Sequence, residues 1–199
     1  MKVLLLSPYP ERLQPSIEAA SDHLLARYDA IEMSWVQQMN FDWIVSYGYS
    51  HIIRRPVLDA FPSRIVNLHI SYLPWNRGAD PNLWSWIDDT PKGVTLHQVD
   101  EGVDTGPIID QVLVHFGIGE TLATSYEQLR TAAETMFTRV WPLVRAGRIH
   151  PRRQPAGGSV HRARDRDAIM AVLPAGWDTP VNEVARLGRR IGRHQGGPP

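Results

Sequence analysis

Three polar residues have the types and spacing to do chemistry together. Asn67 and His69 close an apolar run, in Asn67-Leu68-His69, and Asp104 sits in the loop Asp100-Glu101-Gly102-Val103-Asp104-Thr105-Gly106. Residues two apart on a strand point to one face, so Asn67 and His69 can reach one site. An amide can donate to a developing oxyanion, and a neighbouring imidazole can move a proton near neutral pH. A carboxylate beside the ring would orient it and stabilise the imidazolium. That set suits acyl transfer. Each residue also has a plainer reading. Asn-x-His alone more often marks a satisfied core histidine, and the Asp100–Gly106 loop can be a solvated acidic turn. His97, a lone histidine in an apolar strand, reads as a structural or secondary part. His69, His97, Asp100 and Asp104 match no established zinc spacing, so no metal is expected.

The elements around these residues alternate. Residues 2–7 read as a first buried strand ending in a turn. Pro8-Tyr9-Pro10-Glu11-Arg12 follows without a glycine, so backbone amides are poorly placed to cradle a phosphate there. The pattern predicts a helix over 17–28 capped by Ser16, a weak second strand over 30–33, and an ambiguous stretch over 35–39. Trp43–Tyr47 reads as a strand closed by Gly48, 56–61 as a short helix with proline in its first turn, and Ile65–His69 as the fourth strand. Asp80-Pro81 caps and starts a helix to about residue 88. Strands over 94–99 and 108–116 flank the Asp100–Gly106 loop. Thr121 or Thr124 caps a long helix to about residue 146, with one apolar face made by Leu122, Tyr126, Leu129, Ala133, Met136, Phe137, Val140 and Val144.

This is an α/β pattern: a doubly wound, mostly parallel twisted sheet flanked by helices, with a short irregular C-terminal appendage. Ligands in such sheets collect at the carboxyl ends of the strands, where Gly48-Tyr49 and Asn67/His69 fall. A catalytic domain over 1–147 and an extension over 148–199 are expected. In the extension, 162–167 reads as a solvated charge run, 181–191 as a short basic helix, and 195–199 as a frayed end.

The bulk numbers agree with a globular domain. The chain has 199 residues, 43% hydrophobic and 21% charged. Its lack of cysteine excludes disulfides and thiolate zinc sites, and a cytoplasmic setting is expected. The apolar start is too short for a signal peptide, and no apolar run is long enough to span a membrane. Residues 1–147 hold 11 Lys+Arg and 17 Asp+Glu, a net −6, while 148–199 hold 10 and 4, a net +6. A basic tail on an acidic body is the plainer reading, and a patch for a phosphorylated partner the sharper one. No nucleic-acid motif is present.

Taken together, the motifs carry a resemblance. Asn67-x-His69, then Ser71-x-Leu73-Pro74-x-x-Arg77-Gly78, then Gly93-Val94-Thr95-x-His97 and Asp104-x-Gly106-x-Ile108-Ile109-x-Gln111, resemble the folate-dependent formyltransferases. The match is strong over about residues 42–115. It looks most like the branch with stand-alone small N-formyltransferases and the formylation domain of linear gramicidin synthetase. Further matches fall at Thr121–Tyr126 and Gly158-Ser159-x-His161.

The resemblance implies a Rossmann-like fold and 10-formyltetrahydrofolate as formyl donor. It implies that Asn67 holds the oxyanion, that His69 carries the proton, and that Asp104 positions His69 or a water and relays a proton. The folate would lie between Tyr49, Ser50, His51, Ile52 and Ile53 on one side and Val99, Asp100 and Asp104 on the other. Arg77, Gly78 and Asp80, with Asn82 nearby, would face the acceptor or brace its loop. Leu73-Pro74 is often cis in this family. The expected reaction transfers a formyl group to a primary amine on a small-molecule acceptor, either a nucleotide-linked amino sugar or an aminoacyl or peptide intermediate. The Pro8-Tyr9-Pro10 turn disfavours glycinamide ribonucleotide, and the chain's end about 50 residues past its long helix disfavours methionyl-tRNA. The alternatives are a 10-formyltetrahydrofolate hydrolase and a folate-binding pseudoenzyme. Oligomeric state is not legible.

Overall fold

The computed structural model describes residues 1–195. In chain order the elements are β1 (Lys2–Leu6), α1 (Gln14–Ala19), β2 (His23–Arg27), α2 (Met33–Met39), β3 (Trp43–Tyr47), α3 (Arg55–Ala60) and β4 (Ile65–His69). They continue with β5 (Arg77–Gly78), α4 (Pro81–Ile87), β6 (Gly93–Gln98), β7 (Ile108–Leu113), α5 (Leu122–Arg145), β8 (Val160–His161), α6 (Ala163–Met170) and α7 (Val181–Gln195). The larger sheet has the order β2-β1-β3-β4-β6-β7. Its first four strands pair parallel, and β6 runs antiparallel to β4. The mostly parallel, helix-flanked α/β sheet expected from the sequence is what the chain forms.

The chain divides into two compact units, each discontinuous in sequence. The first comprises Met1–His69, Thr95–Gln111 and Ala133–Gln154. On one face of its sheet, Leu4, Leu6, Ile44 and Ile65 pack with Val36, Phe41, Val57 and Phe61 from and around α2 and α3. Residues of opposite parity serve the other face: Trp43 meets Trp141 edge-on at 5.6 Å, and Trp141 stacks on Phe137. Buried Asp22 accepts from the terminal ammonium, the Arg145 guanidinium and Trp141 Nε1. Despite desolvation, which raises it, Arg145 and the terminal ammonium hold the Asp22 carboxyl below the usual carboxylate range.

The second unit comprises Ile70–Val94, Val112–Ala132 and the chain from residue 155 on. Leu83, Leu122, Leu173 and Val184 form its core, and β5 pairs parallel with β8. Asn82 is buried and donates to Leu122 O and Ser125 Oγ, so it braces this core. Gly158, at φ +94°, lies so close to Pro74 O that a Cβ would overlap it. Ser159 N donates to that same oxygen, and Ser159 Oγ accepts from Asn76 N. The Leu73-Pro74 peptide is cis.

Several local expectations are corrected. The helix predicted over 17–28 stops at Ala19; Ser21 turns the chain at φ +60°, and His23–Arg27 pair with β1 as β2. Long-range ladder pairing overrides the helical pattern there. The strand predicted over 30–33 is absent, and 35–39 belongs to α2. Asp80 does not cap α4: it is left-handed at φ +52° and makes no side-chain cap bond. The charge run over 162–167 does form the solvated face expected of it: it lies mostly within α6, which buries no residue, and Arg162 N donates to Asp165 Oδ2 at the helix start. The expected frayed end at 195–199 lies outside the described residues from 196 on. No helix among the described residues is long and apolar enough to cross a membrane.

Candidate active site

Asn67 and His69 occupy the carboxyl half of β4, two residues apart on one face. The antiparallel register sets His97 of β6 directly opposite Asn67 and Thr95 opposite His69. Directly opposed residues share a face, so four polar side chains gather on one side of two strands. Asp104 reaches them from the β6–β7 loop. Its backbone is left-handed, at φ +53°, and Gly106 behind it lies so close to Gln98 O that a Cβ would overlap it. The loop is pinned further by Asp100, whose Oδ1 accepts from Gly102 N at 3.1 Å and Thr105 Oγ1 at 2.6 Å.

Asp104 is the hub. Its Oδ1 accepts from Asn67 Nδ2 at 3.2 Å and lies 3.4 Å from His97 Nε2, while Oδ2 lies 3.6 Å from His69 Nδ1. The side chains of His69 and Asp104 are only 8% and 14% exposed, so the ion pair they can form is little screened by water. His97 Nδ1 sits 2.7 Å from Gln98 O. A carbonyl only accepts, so Nδ1 carries the proton, and in the neutral ring Nε2 is bare. That nitrogen accepts from Asn67 Nδ2 at 3.2 Å. Both amide hydrogens of Asn67 are thereby directed, one to a carboxylate and one to an imidazole.

The geometry thus brings together the three residues chosen from the sequence and adds His97, which the sequence reading placed as structural or secondary. The signal for His97 was the strand register, which periodicity does not show. On the proposed donor side, Tyr49, Ile53 and Val99 pack against one apolar cluster. Ser50, His51 and Asp100 are exposed, and Ile52 is 81% exposed. Tyr49 Oη donates to Asp29 O, and burial pushes its phenol up, so it stays protonated. Among the described residues, the main chain of 49–53 and 100–103 makes no hydrogen bond to other main chain. Apart from Gly102 N, which Asp100 takes, those groups suit a flat ring system edged with polar atoms, which fits a pterin.

Arg77, Gly78 and Asp80 belong to the second unit. Arg77 and Gly78 form β5, with Arg77 N donating to Ser159 O at 3.0 Å. The Asp80 carboxylate lies 3.8 Å from the Arg166 guanidinium. Burial pushes its carboxyl up, and Arg166 opposes that shift. Beside them His161 stacks on Trp84 at 4.1 Å and faces Asp88 at 2.8 Å. Among the described residues no group of three or more His, Cys, Asp or Glu is arranged to hold a metal ion.

Residues 15–141 match the family model described as formyl transferase. The chain belongs to the formyl transferase family. It is 44% identical to the formyltransferase PseJ from Anoxybacillus kamchatkensis, solved in complex with UDP-4,6-dideoxy-4-formamido-L-AltNAc and tetrahydrofolate. That match covers 94% of this chain and 100% of PseJ, with a TM-score of 0.89. A sugar N-formyltransferase from Shewanella sp FDAARGOS_354 shares the fold, with a TM-score of 0.79 at 19% identity over 94% of this chain and 87% of that one. A methionyl-tRNA formyltransferase of Halorhodospira halophila is 30% identical over 94% of this chain. The chain spans 58% of that relative's length. The catalytic class expected from the sequence, folate-dependent formyl transfer, is that of this family.

Proposed function

We propose that this chain transfers the formyl group of 10-formyltetrahydrofolate to the primary amine of a nucleotide-linked amino sugar. The observation that carries the chemistry is the convergence of the Asp104 carboxylate on Asn67 and His69. When bound, the folate supplies a formyl carbon open to attack by an amine. Tyr49, Ser50, His51, Ile52, Ile53, Val99 and Asp100 would hold it, largely through backbone groups.

Asn67 donates from Nδ2 to the formyl oxygen as negative charge builds there. Its two hydrogens are engaged by Asp104 and His97 in the resting site, so Nδ2 exchanges or shares one of these long bonds to serve the oxyanion. His69 accepts the proton that the attacking nitrogen sheds and returns a proton to the departing nitrogen. Asp104 stabilises the imidazolium that forms between these transfers. Its 3.6 Å separation from Nδ1 is long for a hydrogen bond, as is common for catalytic contacts before substrate binds.

The amino-sugar acceptor is supported by PseJ, whose match runs over its whole chain. Arg77, Gly78 and Asp80 would contact this acceptor. An aminoacyl acceptor is supported more weakly, because the methionyl-tRNA relative is covered over only 58% of its length. The test is formamide formation and tetrahydrofolate release with UDP-linked 4-amino sugars, with aminoacyl acceptors, and with no amine. Product with the amino sugar is expected. Release without any amine supports a hydrolase, and folate binding without turnover supports a pseudoenzyme; either overturns the proposal.

A further inference from the structure

Gln154 is bound to the catalytic loop although it lies about 50 residues further along the chain. Its Nε2 donates to Asp104 O at 2.8 Å and to Gly106 O at 2.9 Å. Both partners can only accept, so the –NH2 end of the amide faces them. The segment carrying Gln154 is itself fixed. After α5 ends at Arg145, Arg152 and Ile108 exchange two main-chain hydrogen bonds, at 2.7 and 2.8 Å, which adds this segment to the edge of β7. The Arg152 guanidinium reaches Gln111 Oε1, and Gln111 Nε2 donates to Thr95 Oγ1, opposite His69.

The loop needs such a hold. Asp104 is a non-glycine residue in left-handed backbone, a conformation that persists only where surroundings over-determine it. Asp100 secures the front of the loop through Gly102 and Thr105. Gln154 secures the peptides at Asp104 and Gly106, which aim the carboxylate. We infer that Gln154 is a positioning residue for the proposed formyl transfer, acting through the main chain of Asp104.

This rests on the function proposed above, and the experiment separates the two. Gln154→Met keeps size and removes the donors, while Gln154→Glu also turns acceptors toward the two carbonyls. Misplacing a reacting group by about 1 Å can lower a rate by about 10²-fold. We expect kcat to fall roughly 10- to 100-fold in Gln154→Met and further in Gln154→Glu, with both KM values changed less than about twofold. Hydrogen exchange over 100–107 should quicken, while β1–β4 stay protected. A Gln154→Met enzyme with wild-type kcat overturns the inference, whatever Gln154→Glu does. So does a loss confined to KM or to melting temperature. If wild type transfers no formyl group to any amine, the proposed function fails. The hold on the loop is then judged by exchange alone, and unchanged exchange over 100–107 overturns it.

Discussion

Replacing Asp104 by asparagine keeps the size of the hub and removes its charge. The carboxylate oxygen lies 3.6 Å from His69 Nδ1, with both side chains mostly buried. Opposite unit charges near this separation, at the effective dielectric of a protein site, attract by about 4 kcal/mol. In the proposed mechanism His69 becomes charged by taking the amine proton, so the loss is expected to fall on the transition state. At about 1.4 kcal/mol per decade this is up to about 10³ in rate. Asparagine leaves a second problem: if its oxygen accepts from Asn67 Nδ2, its –NH2 faces the His69 side. We expect kcat to fall about 10²- to 10³-fold with little change in KM for either substrate. The assay is steady-state tetrahydrofolate release with the formamide product counted by mass, alongside a thermal melt showing a folded variant. A folded Asp104→Asn enzyme within tenfold of wild-type kcat would refute the charge argument, leaving Asp104 at most a spacer.

Asn67→Ala removes the proposed oxyanion donor and is expected to lower kcat by about 10²- to 10³-fold; intact turnover would remove that role. Asp22→Asn weakens the ion pairs to Arg145 and the terminal ammonium, both of which keep some exposure to water, and should destabilise by about 1–3 kcal/mol at neutral pH. Because the folded Asp22 pKa is lowered, its contribution is complete above the unfolded value of about 3.9 and lost as pH falls through the folded one. Denaturant titrations should therefore show the gap from wild type closing in acid, and a constant gap would contradict the shift. Gly158→Ala puts a Cβ against Pro74 O at φ +94° and should lower stability by about 1–3 kcal/mol, read as a lower melting temperature.

Much of this could be read in the sequence, for physical reasons that differ by element. The buried strands at Lys2–Leu6, Trp43–Tyr47 and Ile65–His69 announce themselves because ladders covered on both faces need uninterrupted apolar runs. The face of α5 shows because a helix against a sheet needs the 3.6-residue stripe. Asn67 and His69 show because they interrupt such a run at positions two apart. The missed pieces depend on pairing between distant segments. His23–Arg27 has too little apolar alternation to declare itself, and becomes a strand because β1 offers a free edge. His97 gains its place from the antiparallel register with β4, which local pattern does not encode. Gln154 sits among prolines, arginines and glycines that read as an ordinary loop.

The turn after β1 bears on the acceptor. In many α/β folds glycines there let main-chain amides close on a phosphate. Here the Tyr9 ring occupies that place. It packs edge-on against Tyr47 at 5.0 Å, and its hydroxyl lies where a Cβ on Gly48 would be. Gly48 has φ +67°, so this position demands glycine twice, for its backbone and for the tyrosine above it. Tyr47 Oη donates to Glu134, which also receives Arg12. Arg12 is thus paired with the partly buried Glu134 carboxylate, which offsets the one cation of the turn toward an anion. The turn is therefore unsuited to an acceptor's phosphate, and a nucleotide-linked sugar would have to be held by residues elsewhere. Tyr9→Gly should accordingly leave KM for such an acceptor within about twofold while loosening β3. A large rise in KM for the nucleotide sugar, with KM for the folate unchanged, would place its phosphates at this turn after all.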